Sequence, residues 1–431
     1  MVPHLVTALE GPINELEQRI LESMSAIERW FRLEWMEHTP AFYASVDVRN
    51  AGFKLAPMDT HLFPSQWNQL SADMLPLAVQ AGMAAIEKIC PEAKNLLLVP
   101  ENDTSDPLYL ANLAQLARIF NMAGLNVRLG SISNDVKAPT TLALPDGGTM
   151  ALEPLIRSPH RLLLPDFDPC TILLNNDLSA GIPGILEELH EQYLLPPVHA
   201  GWPIRRKTHH AKAYEELAKR FAKMLGMDHW LITPAQAVTA DVDLTTGNGL
   251  DALQAQVDAV LTKTRRKYKE YGIHEKPFAL VKADNGSPGM GVLSLRDAKE
   301  LSSAPAEALR GLATTKSGQT LTQFMVQEGV ATRERIDAAP AEPVVYTMDR
   351  YVVGGFYRTH DACGPEDHLN TTGARCVPLA FEQSVQLPQP GMQPGANAPN
   401  RFYMYGVVAR LAMLASSYEL EATDPEMEIS D

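Results

Sequence analysis

Cysteine is scarce in this chain, and its few copies are scattered. The 431 residues contain four cysteines, and no two of them form a Cys-x-x-Cys pair. Such spacing argues against a disulfide framework and against a structural zinc site. The reduced environment of the cytoplasm is therefore the expected location. The four lie at Cys90, Cys170, Cys363 and Cys376.

Long apolar runs are absent as well. A membrane-spanning helix needs about 18 or more consecutive apolar residues, and no such run occurs. The first 20 residues, MVPHLVTALEGPINELEQRI, bring charges before an apolar run reaches the length typical of a signal peptide. We therefore expect neither export nor membrane insertion.

The chain has fewer basic residues than acidic ones. Lys and Arg total 37 against 52 Asp and Glu, which gives a formal net charge of -15. An acidic chain repels a phosphate backbone, and the basic residues cluster only locally, at 205–207 and 263–269. We expect no nucleic-acid partner, whereas a small anionic ligand is compatible with both clusters.

Helical and strand patterns alternate along the first 271 residues. Apolar residues at helical spacing predict helices at 13–36, 71–89, 107–122, 209–225 and 250–271. Short apolar runs predict strands at 95–99, 126–129, 171–174 and 230–233, with a hairpin-like stretch at 141–150. This alternation predicts an α/β (α+β) fold with a parallel or mixed sheet. With 45% hydrophobic residues, the chain can bury the cores of two or three domains.

The most informative segment is 277–295, which has the pattern strand, glycine-rich loop, strand. Glycines allow a loop to turn its backbone N–H groups toward one side, where they can hold phosphate oxygens. Lys282, at the end of the first strand, would place its charge on the same anion. Five loop residues are the predicted phosphate contacts: Asn285, Gly286, Ser287, Gly289 and Gly291.

This loop differs from the two common phosphate-binding loops. No Gly-Lys-Ser/Thr follows it, and it returns to a strand, whereas the P-loop and the dinucleotide fingerprint both open a helix. An ordinary hairpin with a glycine-rich turn is the alternative. The loop alone does not decide between the two.

Three later segments resemble, in the same order, motifs of the ATP-grasp ligases, glutathione synthetase among them. The strand 324–330 resembles the hinge whose backbone contacts adenine. The hairpin 346–358 resembles one whose returning strand carries an arginine for the transferred phosphoryl group. The loop 369–375 resembles the loop that closes on the triphosphate. The resemblance covers 201–431.

The resemblance implies roles for individual residues. It makes Lys282 and Arg358 the catalytic residues, which act by neutralising charge on the phosphoryl group. No side-chain nucleophile is required in such a site. The further ATP contacts that it implies are Gln327, Glu328 and Gly329 in the hinge and Asn370 in the closing loop.

A magnesium ion is also implied, because a divalent cation offsets the charge of the triphosphate. Members of the family end with a Glu-x-Asn triplet that holds the metal, and no such triplet follows Asn370. The acids that are candidate metal ligands are Glu382, Glu419 and Glu421, with Asp349 a more distant choice.

A second polar cluster lies at 43–64, where glycine and proline interrupt the chain, and we expect an exposed loop there. An arginine fork binds a carboxylate, a lysine adds a point charge, and an aspartate accepts from an ammonium group, so the cluster suits a small amino acid. A surface loop linked by its own salt bridges is the alternative. The predicted substrate contacts are Asp47, Arg49, Asn50 and Lys54, which share this cluster with Asp59, together with Asn176 and Arg205.

Taken with the ATP-grasp half, these segments resemble the proteobacterial glutamate-cysteine ligase family. Similarity runs through 46–63, 162–183, 201–212 and the loop at Lys282. The resemblance implies ATP-dependent ligation of the glutamate γ-carboxylate to cysteine through γ-glutamyl phosphate, the first step of glutathione synthesis. The implied cofactors are ATP and Mg2+, the partners are the small molecules glutamate, cysteine and ATP, and a homo-oligomer is compatible with the sequence.

The predicted organisation is an N-terminal α/β substrate domain at 1–200 followed by an ATP-grasp domain at 201–431. Within the second, the lid is expected at 230–330 and the C-terminal part at 331–425. Two other functions stay open: another ATP-grasp carboxylate-amine ligase, and a nucleotide-binding regulatory protein without catalytic activity. The missing Glu-x-Asn triplet keeps the second of these open.

Overall fold

The computed structural model describes residues 5–6, 12–286, 290–315, 318–378 and 402–425. These residues form a mixed α/β structure with four β-sheets. The α/β fold class predicted from the alternation of helices and strands is confirmed. Of the helices in these ranges, none is both long enough and apolar enough to cross a bilayer.

The helices follow the apolar periodicity of the sequence, with one break. The helix predicted at 13–36 is two helices, which end and begin around Ser23. Pro107 begins α4, and the side chain of Asp106 caps it by accepting from the backbone N–H of Leu108. The described helices are α1 Pro12–Glu22, α2 Met24–Glu37, α3 Leu75–Ile89, α4 Pro107–Met122, α5 Lys207–Leu225, α6 Leu250–Glu270, α7 Ala306–Ala313 and α8 Phe402–Ala422.

The strands also match the predicted apolar runs, except at 230–233. That segment lies in a 3-10 turn, His229–Ile232, because the side chain of Asp228 accepts from the backbone N–H of Trp230 and caps the turn. The described strands are β1 Leu5–Val6, β2 Tyr43–Asn50, β3 Leu55–His61, β4 Asn95–Pro100, β5 Asn126–Ser131, β6 Thr140–Ala143, β7 Thr149–Pro154, β8 Ile156–Ser158, β9 Arg161–Leu163, β10 Thr171–Asn175, β11 Tyr193–Leu195, β12 Gln236–Thr239, β13 Ala279–Ala283, β14 Leu293–Leu295, β15 Phe324–Glu328, β16 Arg335–Ile336, β17 Ala339–Met348, β18 Tyr351–Thr359 and β19 Arg375–Pro378.

The seven-stranded sheet combines strands from both halves of the chain. β17 and β18 form an antiparallel hairpin, and β19 extends it beyond β18. β2 pairs with β17, and β3 pairs with β2 on the outside. The predicted division at residue 200 therefore does not separate the strands of this sheet.

The segment 43–64, predicted as an exposed loop, is instead largely the buried strand pair β2 and β3. All eight residues of β2 are buried. Its apolar side chains Val46 and Val48 belong to the hydrophobic core. The polar side chains that alternate with these valines, Asp47 and Arg49, form ion pairs with charged residues of β17 and β18. The charges in this segment reflect pairing inside the protein rather than exposure.

The six-stranded sheet has the order β11-β10-β4-β5-β7-β6. Its pairs are parallel except for β6 and β7, which form the hairpin predicted at 141–150. Helix α4 connects β4 to β5 and packs against both, as expected for a parallel crossover. Residues 175–177 lie at the carboxyl end of β10.

The four-stranded antiparallel sheet has the order β12-β15-β13-β14. One face packs against α6 and is apolar, with Val257 of the helix against Val281 and Val326 of the strands. The opposite face carries Lys282 on β13, paired in register with Met325 on β15. That face turns toward β3, because the Lys282 side chain reaches the backbone of β3. A cleft between these two sheets follows from this arrangement.

Helix α8 packs into the core along its whole length. Met404 and Met413 are both buried. The helix continues to Ala422, and Glu419 near its end is buried. An ion pair with Arg205 stabilises this last turn.

Candidate active site

The cleft between β3 and the four-stranded sheet has two compartments. The loop compartment contains about 390 Å³ of atom-free space and lies under the glycine-rich loop. The inner compartment, of about 510 Å³, lies deeper, between β3, α5 and β15. The loop compartment is lined by Asp59, His61, Lys207, Lys282, Gly286, Gly291, His368 and Asn370. The inner compartment is lined by Met58, Trp202, Arg205, His210, Thr233, Met325 and Gln327, among others.

Lys282 occupies the centre of the loop compartment. Its ammonium group donates to the backbone oxygen of Met58 at 2.9 Å and to Oδ2 of Asp59 at 2.9 Å. The side chain of Lys282 is buried. Burial alone would raise the pKa of Asp59, but Lys282 and Lys207 outweigh it and lower the pKa to about 2. The compartment therefore holds a buried ion pair between Lys282 and Asp59.

Lys207 approaches the glycine-rich loop from the start of α5. Its ammonium group donates to the backbone oxygen of Gly286 and lies 4.1 Å from the ring centroid of Trp202. Asp284 accepts from the backbone N–H and the hydroxyl of Thr208 at 2.8 and 2.9 Å. The beginning of the loop is thus fastened to the N-terminus of α5. Burial lowers the pKa of Lys207 to about 8.

Arg358 lies on β18 in a buried network of charges. Its Nη1 donates to Oδ2 of Asp47 at 2.7 Å and to Oε1 of Glu342 at 2.9 Å. The other oxygen of Glu342 accepts from Nε of Arg49 at 2.7 Å. Burial alone would raise the pKa of Asp47, but Arg358 and His61 hold it well below its usual range. Glu342 therefore joins two arginines, of which Arg358 lies beside Asp47.

Three of the predicted substrate contacts have other partners in the structure. Besides Glu342, Arg49 donates to the backbone oxygens of Val330 and Asp367. The side chain of Asn50 accepts from the N–H of Gly52 and faces Glu334 and Tyr405. The ammonium of Lys54 pairs with Glu328. All three are buried and lie outside the residues that line the cleft, because their polar groups are used to join β2 and β3 to neighbouring segments.

Of the three predicted hinge residues, Gln327 lines the cleft, whereas Glu328 and Gly329 are used in the packing of the protein. The carboxylate of Glu328 is fully buried and accepts from Lys54, from the indole of Trp230 and from the backbone N–H of Ala235. Gln327 lines the inner compartment, and its Oε1 is buried with no hydrogen-bond partner among the described residues. A Cβ on Gly329 would lie 2.1 Å from the ring of Phe278, so packing requires glycine there.

The remaining predicted substrate contacts are also held in place. The amide of Asn176 donates to the backbone oxygen of Pro100 at 3.1 Å and accepts from the N–H of Leu178. Arg205 lines the inner compartment and donates to the backbone oxygen of Thr60 at 2.7 Å. Arg205 is therefore at the cleft, whereas the amide of Asn176 stabilises the turn after β10.

The two candidate metal ligands within the described residues, Glu419 and Glu421, have other partners. Glu419 accepts from Arg205 and contacts His210, so its two oxygens face a buried ion pair. Glu421 pairs with His38 at 2.8 Å. Neither lines the loop compartment, and Glu382 lies outside the described residues.

The glycine-rich loop itself is described only in part. Gly286, Gly291 and Asn370, three of the predicted ATP contacts, line the loop compartment. Asn285 is partly buried at the start of the loop. Ser287 and Gly289 lie outside the described residues.

Two residues of β3 were not assigned a role from the sequence. Asp59 and His61 are two positions apart on a strand, so their side chains share the face that looks into the loop compartment. Both ring nitrogens of His61 and Oδ1 of Asp47 are buried without a hydrogen-bond partner among the described residues. The spacing Asp-x-His inside a strand is the signal that could have identified them. Like the Glu-x-Asn triplet that was expected after Asn370, this triplet has an acidic residue two positions before a second polar residue.

The chain is similar to known proteins along nearly its whole length. The family model for glutamate-cysteine ligase matches residues 17–420, which is nearly the whole chain. The chain belongs to the glutamate-cysteine ligase family. This membership confirms the predicted enzyme class and the predicted ligation of glutamate to cysteine, a reaction of glutathione biosynthesis.

A solved structure agrees with this membership. A protein of Methylobacillus flagellatus KT, assigned as a gamma-glutamylcysteine synthetase, is 47% identical in sequence to this chain, and its structure is similar with a TM-score of 0.91. The match covers 98% of this chain and 100% of that chain. A glutathione synthetase-like effector of Globodera pallida is 8% identical with a TM-score of 0.34, over 81% of this chain and 83% of that one. The second similarity is too low to support an argument about the fold. No curated protein matches the chain.

Proposed function

We propose that the cleft is an ATP site of the ATP-grasp kind, in which the enzyme activates glutamate as γ-glutamyl phosphate. The observation that carries this proposal is the convergence of Lys282, Lys207 and the glycine-rich loop on one buried compartment between two sheets. The buried ammonium group of Lys282 and the partly buried one of Lys207, both beside a glycine-rich loop, suit a polyphosphate. A hairpin with a glycine-rich turn would not require these cations.

The two compartments fit the two ends of the nucleotide. The inner compartment offers the apolar side chains of Met58 and Met325, against which a purine can pack. The unpartnered Oε1 of Gln327 can accept from the exocyclic amino group of adenine. The phosphates would then lie in the loop compartment, where Lys282 and Lys207 donate to them.

The residues present also fit a magnesium ion. Magnesium in nucleotide sites is held by one or two carboxylates together with phosphate oxygens and water. Asp47 has a buried oxygen without a partner, and Asp59 lies in the same region as an ionised carboxylate. A bound magnesium ion would offset the charge of the triphosphate. Asp47 and Asp59 are therefore its proposed ligands, in place of the three glutamates considered from the sequence.

In the proposed first step, an oxygen of the glutamate γ-carboxylate attacks the γ-phosphorus and the bond to ADP breaks. Such a transition state is stabilised by positioning and by charge neutralisation. Lys282 neutralises the phosphoryl oxygens from one side. Arg358 lies in the buried network beside Asp47 rather than among the residues that line the loop compartment, and its Nε, which has no partner among the described residues, would donate to the same oxygens. In the second step, the amine of cysteine attacks the acyl carbon, phosphate leaves, and the nitrogen loses a proton.

Trapping of the intermediate tests this proposal. Enzyme incubated with glutamate, ATP and hydroxylamine, without cysteine, is expected to form γ-glutamyl hydroxamate and an equal amount of ADP, because hydroxylamine captures an acyl phosphate. Omission of ATP should abolish the product. If γ-glutamylcysteine forms at a normal rate in a parallel assay and no hydroxamate can be trapped, the proposed intermediate is wrong.

The pH dependence of nucleotide binding is a second test. With a pKa of about 8, Lys207 is protonated at pH 7 and loses its charge as the pH rises through 8. The affinity for ADP with magnesium should therefore fall between pH 7 and 9, by up to about tenfold per pH unit above the pKa. Isothermal titration calorimetry at each pH gives the dissociation constant.

Lys207→Arg is the matched control, because a guanidinium stays protonated across this range. The arginine variant should show a flat profile between pH 7 and 9. Burial also lowers the pKa of Lys54 to about 8, but Lys54 lies outside the cleft, so the comparison of the two proteins assigns the effect. Equal profiles for both proteins would show that Lys207 does not contact the phosphates.

A further inference from the structure

We infer that Trp202 is a positioning residue for Lys207: its indole ring holds the ammonium group of the lysine against the glycine-rich loop and so sets the affinity for the nucleotide. The inference rests on the proposed function, since it concerns the phosphate end of the same site. Trp202 lines the inner compartment but takes no part in the proposed chemistry. Its role follows from the contacts that its ring makes.

Lys207 lies at the junction of the two compartments, and it is among the residues that line both. Its Nζ lies 4.1 Å from the ring centroid of Trp202 and donates to the backbone oxygen of Gly286. The ring belongs to the inner compartment and Gly286 to the loop compartment. The ammonium group is therefore held between the ring and the loop.

The ring of Trp202 supplies the contact that a lysine needs to be held in one place. A lysine is a point charge on a flexible four-carbon stem, so a single acceptor does not fix its direction. A cation over the face of an aromatic ring is attracted by the ring quadrupole, most strongly for tryptophan and most strongly when water is excluded. Trp202 is buried, which favours a strong interaction.

The ring itself is held by contacts to two other parts of the protein. The backbone N–H of Trp202 donates to the backbone oxygen of Asp177, after β10, at 3.2 Å. The guanidinium carbon of Arg205 lies 5.1 Å from the ring centroid. Arg205 is in turn held by Glu419 and by the backbone oxygen of Thr60. The ring is thus in position before a ligand arrives, as a residue that positions another must be.

The ring should also favour the charged form of Lys207, because a neutral amine has no charge for the quadrupole to attract. Burial already lowers the pKa of Lys207 to about 8. Loss of the ring should lower this pKa further, so that more of the lysine is neutral at pH 8. The titratable and charged groups that face Lys207 are Asp59 and His61 on β3, Lys282 on β13, Asp284 at the start of the loop, Arg205, His210 and His368.

Nucleotide binding tests the inference. In Trp202→Leu, the dissociation constant of ADP with magnesium, measured by isothermal titration calorimetry at pH 7, should rise about two- to thirtyfold, the effect of losing one cation–π contact. The fall in affinity between pH 7 and 9 should begin at a lower pH than in the parent enzyme. A purely structural effect would reduce the affinity by the same factor at every pH, and that result would contradict the inference.

Trp202→Phe keeps an aromatic ring and is the conservative variant. It should recover part of the affinity, because phenylalanine also attracts a cation, although more weakly. A phenylalanine variant as weak as the leucine variant would exclude the ring face as the cause. If Trp202→Leu does not fold, Trp202→Phe takes its place in each comparison, with an expected loss of about two- to fivefold.

A Lys207→Met background assigns the effect to the lysine. There, Trp202→Leu should cause no further loss of ADP affinity, because the ammonium that the ring positions is gone. The same loss in both backgrounds would show that the ring acts on the nucleotide or on the fold, and the inference would be wrong. Trp30→Leu is the matched control, since the guanidinium carbon of Arg220 lies 5.9 Å from the ring centroid of Trp30, outside the cleft. It should leave the ADP affinity unchanged.

The inference and the proposed function can fail separately. If the parent enzyme and Trp202→Leu bind ADP equally well, the inference fails while the ATP site stands. If Lys207→Met binds ADP as tightly as the parent enzyme, the phosphates do not contact Lys207, and both the proposed placement of the phosphates and the inference are wrong. If the parent enzyme binds no ADP, the proposed function fails and the inference fails with it.

Discussion

Replacing Lys282 with alanine is expected to lower kcat by about two to three orders of magnitude, the usual effect of removing one preorganised donor from a transition state. The lysine is buried, and its charge is positioned by the backbone of Met58 and by Asp59 before any substrate arrives. The variant also leaves Asp59 without its nearest cation, which adds repulsion against the triphosphate. The ATP KM should therefore rise as well. Steady-state kinetics with saturating glutamate and cysteine would measure both effects.

Two comparisons assign the effect to the charge at this position. Lys276→Ala removes an exposed lysine from the approach to the same strand and should leave kcat within a factor of about two, as expected for a surface change. Lys282→Arg keeps the charge but changes its shape, so it should recover only part of the activity. A folded Lys282→Ala protein with unchanged kcat and ATP KM would exclude this lysine from the site.

Local patterns were enough to locate Lys282 and its loop. The strand β13, the glycines and the return to β14 are consecutive in the chain, so their order alone predicted the arrangement. The partner of Lys282 could not be predicted in the same way. Asp59 is separated from it by 223 positions, and only the pairing of β3 with β2, and of β2 with β17, brings the two together.

The errors at 43–64 have a physical cause. A cluster of charges with glycine and proline is usually exposed, because an isolated charge is costly to bury. Here each charge has a partner from a distant segment: Arg49 pairs with Glu342, and Lys54 pairs with Glu328. Such pairs cannot be predicted without the topology of the sheet.

The missing metal triplet has a similar explanation. No such triplet follows Asn370, where the resembling family carries it, whereas the proposed ligands Asp47 and Asp59 stand far earlier in the chain. The sheet places β3 beside β2, and β2 beside the hairpin that carries Arg358. The order of strands in a sheet does not have to follow their order in the chain. Residues early in this sequence can therefore occupy the position that late residues occupy in the resembling family. We propose that the metal ligands of this chain are placed in this way.

Replacing Glu342 with alanine is expected to have the largest effect on stability. Glu342 is buried and accepts from Arg49 through one oxygen and from Arg358 through the other. Its removal leaves two buried guanidinium groups with Asp47 as the remaining carboxylate in the network. Loss of one partner from a buried ion pair costs on the order of 3–5 kcal/mol, so the free energy of unfolding should fall by at least that amount. Denaturation in urea, followed by circular dichroism, would measure it.

Glu342→Gln separates the role in folding from the role in catalysis. The amide keeps the shape and one acceptor oxygen, so most of the stability should remain, but one of the two arginines loses a charged partner. Glu342 acts through Arg358 rather than on the substrate, and we therefore expect kcat to fall by about ten- to a hundredfold while the ATP KM changes little. Glu307→Ala, at an exposed glutamate, should change the free energy of unfolding by less than about 0.5 kcal/mol.

A double variant makes the argument about Glu342 testable even if Glu342→Ala does not fold. In Arg49→Met with Glu342→Leu, an apolar pair replaces a buried ion pair, a change that is often neutral for stability. The protein should then fold. Its kcat should nevertheless stay low, because Arg358 still donates to Asp47 but has lost Glu342, the second acceptor that holds its guanidinium in place. A double variant with the kcat of the parent enzyme would show that Glu342 does not position Arg358. In that case the network joining β2, β17 and β18 would serve stability alone.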